Sequence, residues 1–205
     1  MPDQVDPLPI HIRSEHGTRR VPMTTPKTTA TRGSLASIAG IILVIGYGFD
    51  QLTKYWVETS MKVGEIRWVI EPWFKWYSIR NPGAAFSMGE NFTWVFTVFM
   101  AVVAVAVVVL MLTKARSRLW MAALAALLAG TLGNLTDRLF RPPAFGHGHV
   151  VDFISVGDFA IFNIADSLIT CSVVAVVLLI WCNVPLAGGP RVTGRHKDQL
   201  TEENA

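Results

Sequence analysis

The chain is short of charge. Only 16% of its 205 residues are Asp, Glu, Lys or Arg, against about 25% in an ordinary soluble domain. With 51% hydrophobic residues and a mean hydropathy of +0.40, this excludes an intrinsically disordered chain, which needs high charge and few apolar residues. Cysteine is nearly absent: Cys171 and Cys182 are the two in the sequence. On one helix they stand roughly 16 Å apart along the axis, whereas a disulfide needs Cα atoms within about 7 Å. A disulfide-rich secreted module is excluded, and both thiols read as small buried apolar residues. Basic residues are in slight excess, with a net charge of +3, but they gather at the two ends and in one short loop. That distribution argues against a nucleic-acid binder and for orientation in a membrane. Residues 1–34 lack an apolar run, so they are expected to be a flexible cytoplasmic tail and not a cleavable signal peptide. Residues 185–205 read as a second cytoplasmic tail, and no internal repeat is found.

What the chain has is long apolar runs. A membrane-spanning helix needs about 20 mostly apolar residues, and four windows qualify within residues 35–184: Leu35–Val57, Phe92–Thr113, Leu119–Leu139 and Ile164–Val184. Cytoplasmic connections carry the excess of Lys and Arg. Such residues occur in the N-terminal tail (Arg13, Arg19, Arg20, Lys27, Arg32), the second connection (Lys114, Arg116, Arg118) and the C-terminal tail (Arg191, Arg195, Lys197). The expected architecture is an all-α integral membrane protein of four helices with both termini cytoplasmic. The first connection, with Trp68, Trp73, Phe74, Trp76 and Tyr77, alternates well enough for short strands. It reads either as an interfacial aromatic belt or as a small extracytoplasmic β-like platform between helices 1 and 2.

Charged groups inside a bilayer are costly, about 2.5–3.5 kcal/mol at its centre on the insertion scale, so their positions carry information. Asp50 and Lys54 fall at the outer end of span one. Asn134, Asp137 and Arg138 fall at the outer end of span three. Asn163 and Asp166 flank the start of span four, Asp152 lies in the apolar stretch VVDFI, and Asn81 just precedes span two. The topology puts all of them at one depth, and the inner halves of the spans carry none. Structural readings exist: Asp50 and Lys54, four residues apart, form a helix-end ion pair, and Arg138 complements a helix dipole. Asp152 and Asp166 resist such readings. Two close carboxylates in a poorly hydrated site cannot both ionise easily, and a pair sharing one proton can hydrolyse an amide by general acid–base catalysis. His147 and His149 with Asp152 offer a weaker metal-site alternative. A proton-coupled transporter, with polar groups lining a path to both sides, and a non-enzymatic membrane anchor are the rivals from other classes.

Five segments in order, DQLTK (Asp50–Lys54), RNPGAAFS (Arg80–Ser87), GTLGNLTDR (Gly130–Arg138), GHVVDFI (Gly148–Ile154) and FNIADS (Phe162–Ser167), together resemble lipoprotein signal peptidase, or signal peptidase II. The resemblance runs from about Ser34 to Val184. It implies a bacterial inner-membrane aspartyl endopeptidase that cleaves diacylglyceryl-modified prolipoproteins just before the lipidated cysteine, near the outer leaflet. It maps the catalytic pair to Asp152 and Asp166. It marks Asp50, Lys54, Asn81, Gly130, Asn134, Asp137, Arg138, Asn163 and Ala165 as supporting or substrate-contacting positions. In that role Asn134 and Asn163 hydrogen-bond the pair or the scissile backbone, and Arg138 holds Asp137 and the loop. Substrate prolipoprotein and membrane lipid are the implied partners; no cofactor, metal, nucleic acid or obligate protein partner is implied. Ala160 stands where many members of the family carry proline.

Overall fold

The computed structural model describes residues 31–83 and 93–189. The two tails and the AAFS part of the second motif lie largely outside these residues. Four helices are long and apolar enough to cross a membrane: α1 (Arg32–Ser60), α2 (Thr93–Thr113), α3 (Arg118–Phe140) and α4 (Ile164–Trp181). Three strands accompany them: β1 (Ile66–Ile70), β2 (Phe74–Asn81) and β3 (Val150–Val156). β-Branched runs such as that in α2 form helices here because a chain in lipid must close its own backbone hydrogen bonds.

The central helix is α3. Within its most apolar stretch 67% of residues are buried, against 17%, 22% and 11% in α1, α2 and α4. Small residues on α3 make this possible. A Cβ added to Gly130 would lie 2.5 Å from the Ala165 carbonyl oxygen, and one on Gly133 would lie 2.5 Å from Asp50 Oδ2. The glycines therefore let α1 and α4 approach α3 more closely than any side chain permits. At the end remote from the sheet, Leu35 and Ala39 of α1 join Val107 and Met111 of α2 and Met121 and Leu124 of α3 in an apolar cluster. Trp120 Nε1 donates to the Val184 carbonyl at 2.8 Å and closes that end against the residues after α4. The first and last described residues thus lie at one end of the bundle and the sheet at the other. The outer faces of the helices, with Val44, Val105, Leu112 and Trp181 all more than 60% exposed, are apolar and suit lipid.

The sheet has the order β1-β2-β3 and is antiparallel throughout. The aromatic first connection forms the expected strands, and a third strand joins them from the connection between α3 and α4, where none was expected. β3 pairs with β2 through Ile79 opposite Asp152 and Asn81 opposite Val150. Side chains alternate across a strand. Val151 and Phe153 are buried in an apolar cluster with Val57 and Met61 at the end of α1, and Asp152 between them is turned away from it. Trp76 packs edge-on to Trp56 and tilted on Phe153, each with ring centroids 5.8 Å apart. Both cysteines are exposed on α4 and its end, which corrects the expectation that they are buried. An all-apolar helix offers the same composition on the face that meets lipid and the face that meets protein, so composition does not tell the two apart.

Candidate active site

After β3 the chain turns back. Phe162 exchanges backbone hydrogen bonds with Ile154, 2.8 and 3.0 Å long, and sets Asn163 beside the strand. Asn163 caps α4. Its side-chain oxygen accepts from the Asp166 amide at 2.9 Å, and Asp166 Oδ2 accepts from the Asn163 amide at 3.1 Å, a reciprocal capping box that satisfies two otherwise orphaned helix donors. The same asparagine reaches Asp152: its Nδ2 donates to Asp152 Oδ1 at 2.6 Å. One residue therefore ties Asp152 on β3 to Asp166 on α4, and both carboxylates face one cavity of about 570 Å³.

Three asparagine amides donate to the two carboxylates, and each is locked in that orientation at its oxygen. Asn81 Nδ2 donates to Asp152 Oδ2 at 2.8 Å while its oxygen accepts from the Gly83 amide at 3.0 Å. Asn134 Nδ2 donates to Asp166 Oδ1 at 2.7 Å while its oxygen accepts from Lys54 Nζ at 2.9 Å and Asn163 Nδ2 at 3.1 Å. The oxygen of Asn163 is held by the Asp166 amide. Donors aimed at both carboxylates favour negative charge there.

Lys54 is wholly buried. Besides Asn134, its ammonium bonds Asp50 Oδ2 at 2.8 Å and Asp137 Oδ2 at 2.9 Å, which uses its three donors. Asp50 Oδ1 in turn accepts from the Ala165 amide at 2.8 Å, holding α4 to α1. Asp137 accepts from Arg141 Nε at 2.7 Å and from the Val151 amide at 3.3 Å, the residue just before Asp152. Glu58 pairs with Arg141 and, at 3.5 Å, with Arg80. Arg138 does not pair with Asp137: its guanidinium donates to the carbonyls of Pro82 and Gly83 and lies over the Phe96 ring. Of the role foreseen for Arg138, the grip on the loop is present and the contact with Asp137 belongs to Lys54 and Arg141. Glu58, Arg80 and Arg141 were not singled out in the sequence. Two of them carry a signal in spacing: Glu58 follows Lys54 by four residues and Arg141 follows Asp137 by four, so each pair shares a helix face; Arg80 opens the RNPGAAFS segment but was given no role of its own.

Burial and the nearby Asp166 charge push the Asp152 carboxyl up from 3.8 to about 7, against the pull of its hydrogen bonds from Asn81 and Asn163. Such a pair can hold one proton between two carboxylates near neutral pH, leaving one able to take a proton and the other able to give one. The rest of the cavity wall is largely apolar, with Met100 of α2, Phe159, Ile161 and Phe162 of the returning loop, and Cys171 of α4. His149 borders a different cavity, with Arg80 and Arg141, and so stands apart from Asp152. Asp158 is exposed.

The arrangement has counterparts. The family model described as Signal peptidase (SPase) II matches residues 41–182. A lipoprotein signal peptidase of Rhodococcus jostii is 42% identical over 154 residues, 75% of each chain. One from Streptomyces coelicolor is 42% identical over 75% of this chain and 74% of its own. A solved bacterial membrane enzyme superposes with a TM-score of 0.64 at 30% identity, covering 80% of this chain and 98% of the other. A second does so with a TM-score of 0.60 at 32% identity, covering 74% and 95%.

Proposed function

The chain belongs to the signal peptidase II family, and from that premise we propose that it is an intramembrane aspartyl endopeptidase that removes the signal peptide from diacylglyceryl-modified prolipoproteins, cutting just before the lipidated cysteine. The observation that carries the reading is the pairing of Asp152 and Asp166 through Asn163 on one cavity.

The charge balance of the surrounding cluster supports a shared proton. Lys54, Arg80, Arg138 and Arg141 face Asp50, Glu58 and Asp137, so a single negative charge on the pair makes the cluster neutral. Neutrality is the cheapest state in a medium of low dielectric constant. The ionised member of the pair takes a proton from a water held between the carboxylates, and the hydroxide equivalent attacks the scissile carbonyl. The protonated member gives its proton to the carbonyl oxygen. On collapse of the tetrahedral adduct the carboxyl that took the water's proton gives it to the departing amine, the other carboxylate takes back the proton from the adduct's hydroxyl, and the pair is reset. The asparagine amides keep the carboxylates in place throughout, and the Asn134 orientation depends on Lys54.

The apolar wall gives the route for a lipidated substrate. Met100 on α2 and Cys171 on α4 border the cavity from different helices, so a substrate enters sideways between them with its acyl chains left in lipid. The sheet end faces outward and both tails face the cytoplasm, in keeping with the Lys and Arg distribution. In a bacterial cell this is the inner membrane.

The test uses the full-length protein purified in a neutral detergent. It is incubated with a diacylglyceryl-modified precursor and with its unmodified counterpart, and the products are sized by mass spectrometry. Cleavage of the modified form alone, before its cysteine, is the expected result. Equal cleavage of both would remove lipid recognition from the reading, and no cleavage of either would remove the peptidase.

A further inference from the structure

A second cavity, of about 250 Å³, shares no lining residue with the one the carboxylate pair faces. It is lined by Glu58, Arg80, Arg141, Pro142, Pro143 and His149. Its walls come from different elements: Glu58 from the last turns of α1, Arg80 from β2, Arg141 from the cap of α3, and the rest from the loop leading to β3. The two guanidiniums are held without being filled. Each carries five N–H donors. Arg141 spends Nε on Asp137 and Nη1 on Glu58. Arg80 spends Nη1 on the Ser78 hydroxyl and the Ile79 carbonyl, 3.4 and 3.1 Å away, and meets Glu58 only loosely at 3.5 Å. Their side chains are 23% and 18% exposed, so remaining donors are partly withdrawn from water while facing a cavity. Glu58 is shared between the two guanidiniums, and of the two Asp137 meets Arg141 alone. Forked donors on adjoining walls match the oxygens of a phosphate group.

Position adds a second argument. Glu58 and Arg141 stand where α1 and α3 end, the level at which two spans leave the apolar layer. Phospholipid phosphates are concentrated at that level, and Trp56, two residues before Glu58 and 43% exposed, is a residue type that settles there.

We propose that this cavity is a phosphate-binding site, with Arg80 and Arg141 as its ligands, occupied by the headgroup phosphate of an anionic phospholipid or by free phosphate. Occupancy adds acceptors for the spare guanidinium donors and leaves the Arg141 Nε bond to Asp137 in place. The site shares Glu58, Arg80 and Arg141 with the charge balance drawn above, but binding here is read without catalysis, so its failure and the failure of the peptidase reading are distinguishable.

The test is thermal unfolding of the full-length detergent-purified protein, followed by tryptophan fluorescence. It is titrated with a short-chain phosphatidylglycerol, with inorganic phosphate and with chloride at matched ionic strength. A saturable rise in midpoint with either phosphate compound, absent with chloride, is expected. A rise with phosphatidylglycerol alone identifies the lipid as occupant, and an equal rise with inorganic phosphate identifies the free anion. Arg80→Gln should weaken the response roughly tenfold, the scale of one charge-assisted hydrogen bond. Arg141→Gln should weaken it at least as much; because that variant also takes from Asp137 Oδ1 its Arg141 partner, the Arg80 variant keeps the test decisive if Arg141→Gln does not fold. No rise with either phosphate compound, an equal rise with chloride, or an undiminished response in Arg80→Gln would overturn the proposal.

Discussion

At the end of the bundle away from the sheet, Leu35, Ala39, Val107, Met111 and Leu124 meet in an apolar cluster. At the sheet end, the same α1 and α3 bring Asp50, Lys54, Asn134 and Asp137 together with no more than 2% of any of them exposed. In water the first arrangement is the strong one. In lipid the ranking changes, because the tails outside are as apolar as leucine and burial of a leucine against protein gains little beyond packing. A fully buried ammonium with three acceptors, by contrast, has one arrangement in which every charge is met. The apolar end holds the helices together, and the polar end sets their register and their angle about their own axes.

The comparison breaks first at the carboxylates. Asp152→Asn and Asp166→Asn should each lower the cleavage rate by about 10³–10⁴-fold, the scale of general acid–base catalysis, with the protein still inserted and folded. Retention of more than a tenth of the rate in either variant, in a single-turnover assay, would place the chemistry elsewhere. Next comes Lys54→Met, which leaves Asp50 and Asp137 facing each other in a dry site. It should cost about 3–5 kcal/mol of stability, read by thermal or denaturant unfolding in detergent. Leu124→Ala at the apolar end should cost less than about 2 kcal/mol, since the cavity term remains and the transfer term largely drops out in lipid. If the two cost the same, the contrast between the ends is wrong.

Glycine to alanine sharpens the same contrast at constant chemistry. At Gly130 the new methyl meets the Ala165 carbonyl, one residue from Asp166. A displacement of α4 there should cost about 10²-fold in kcat, as small misplacements of catalytic groups do. At Gly40, where nothing lies within 4 Å, the substitution should leave kcat unchanged and stability within about 1 kcal/mol. The effect of pH bears on the carboxylate end alone. The Asp152 proton leaves as pH rises through about 7, so the pH–rate profile should fall above that value, about tenfold per unit once both carboxylates are ionised. For stability the sign is the same. The folded carboxyl keeps its proton to a higher pH than its ordinary value of 3.8, so its contribution is complete below that value and is lost as pH climbs towards 7. Asp152→Asn should flatten both curves.

Much of this was legible in the residues. The spans follow from run lengths, and the shared depth of Asp50, Asp137, Asp152 and Asp166 follows from counting spans. The third strand was not legible, because VVDFISV alternates no better than many loop segments and its partner, β2, lies 71 residues away at the Asn81–Asp152 contact. Glu58 and Arg141 offered only their four-residue spacing from Lys54 and Asp137 and Arg80 offered none, whereas the fold shows all three partly withdrawn from water. The exposure of Cys171 escaped for the opposite reason: lipid accepts what a protein interior accepts.

The site is stitched from distant parts of the chain, Asp50 to Ala165 across 115 positions, and its final stitch, Asn163, is made late. A nascent polypeptide still emerging from the ribosome holds Asp152 before it holds Asp166, and it gains the second aspartate together with the start of its last span. Until that span is made, the half-made molecule holds one carboxylate of the pair and lacks both the other and the asparagine that ties them.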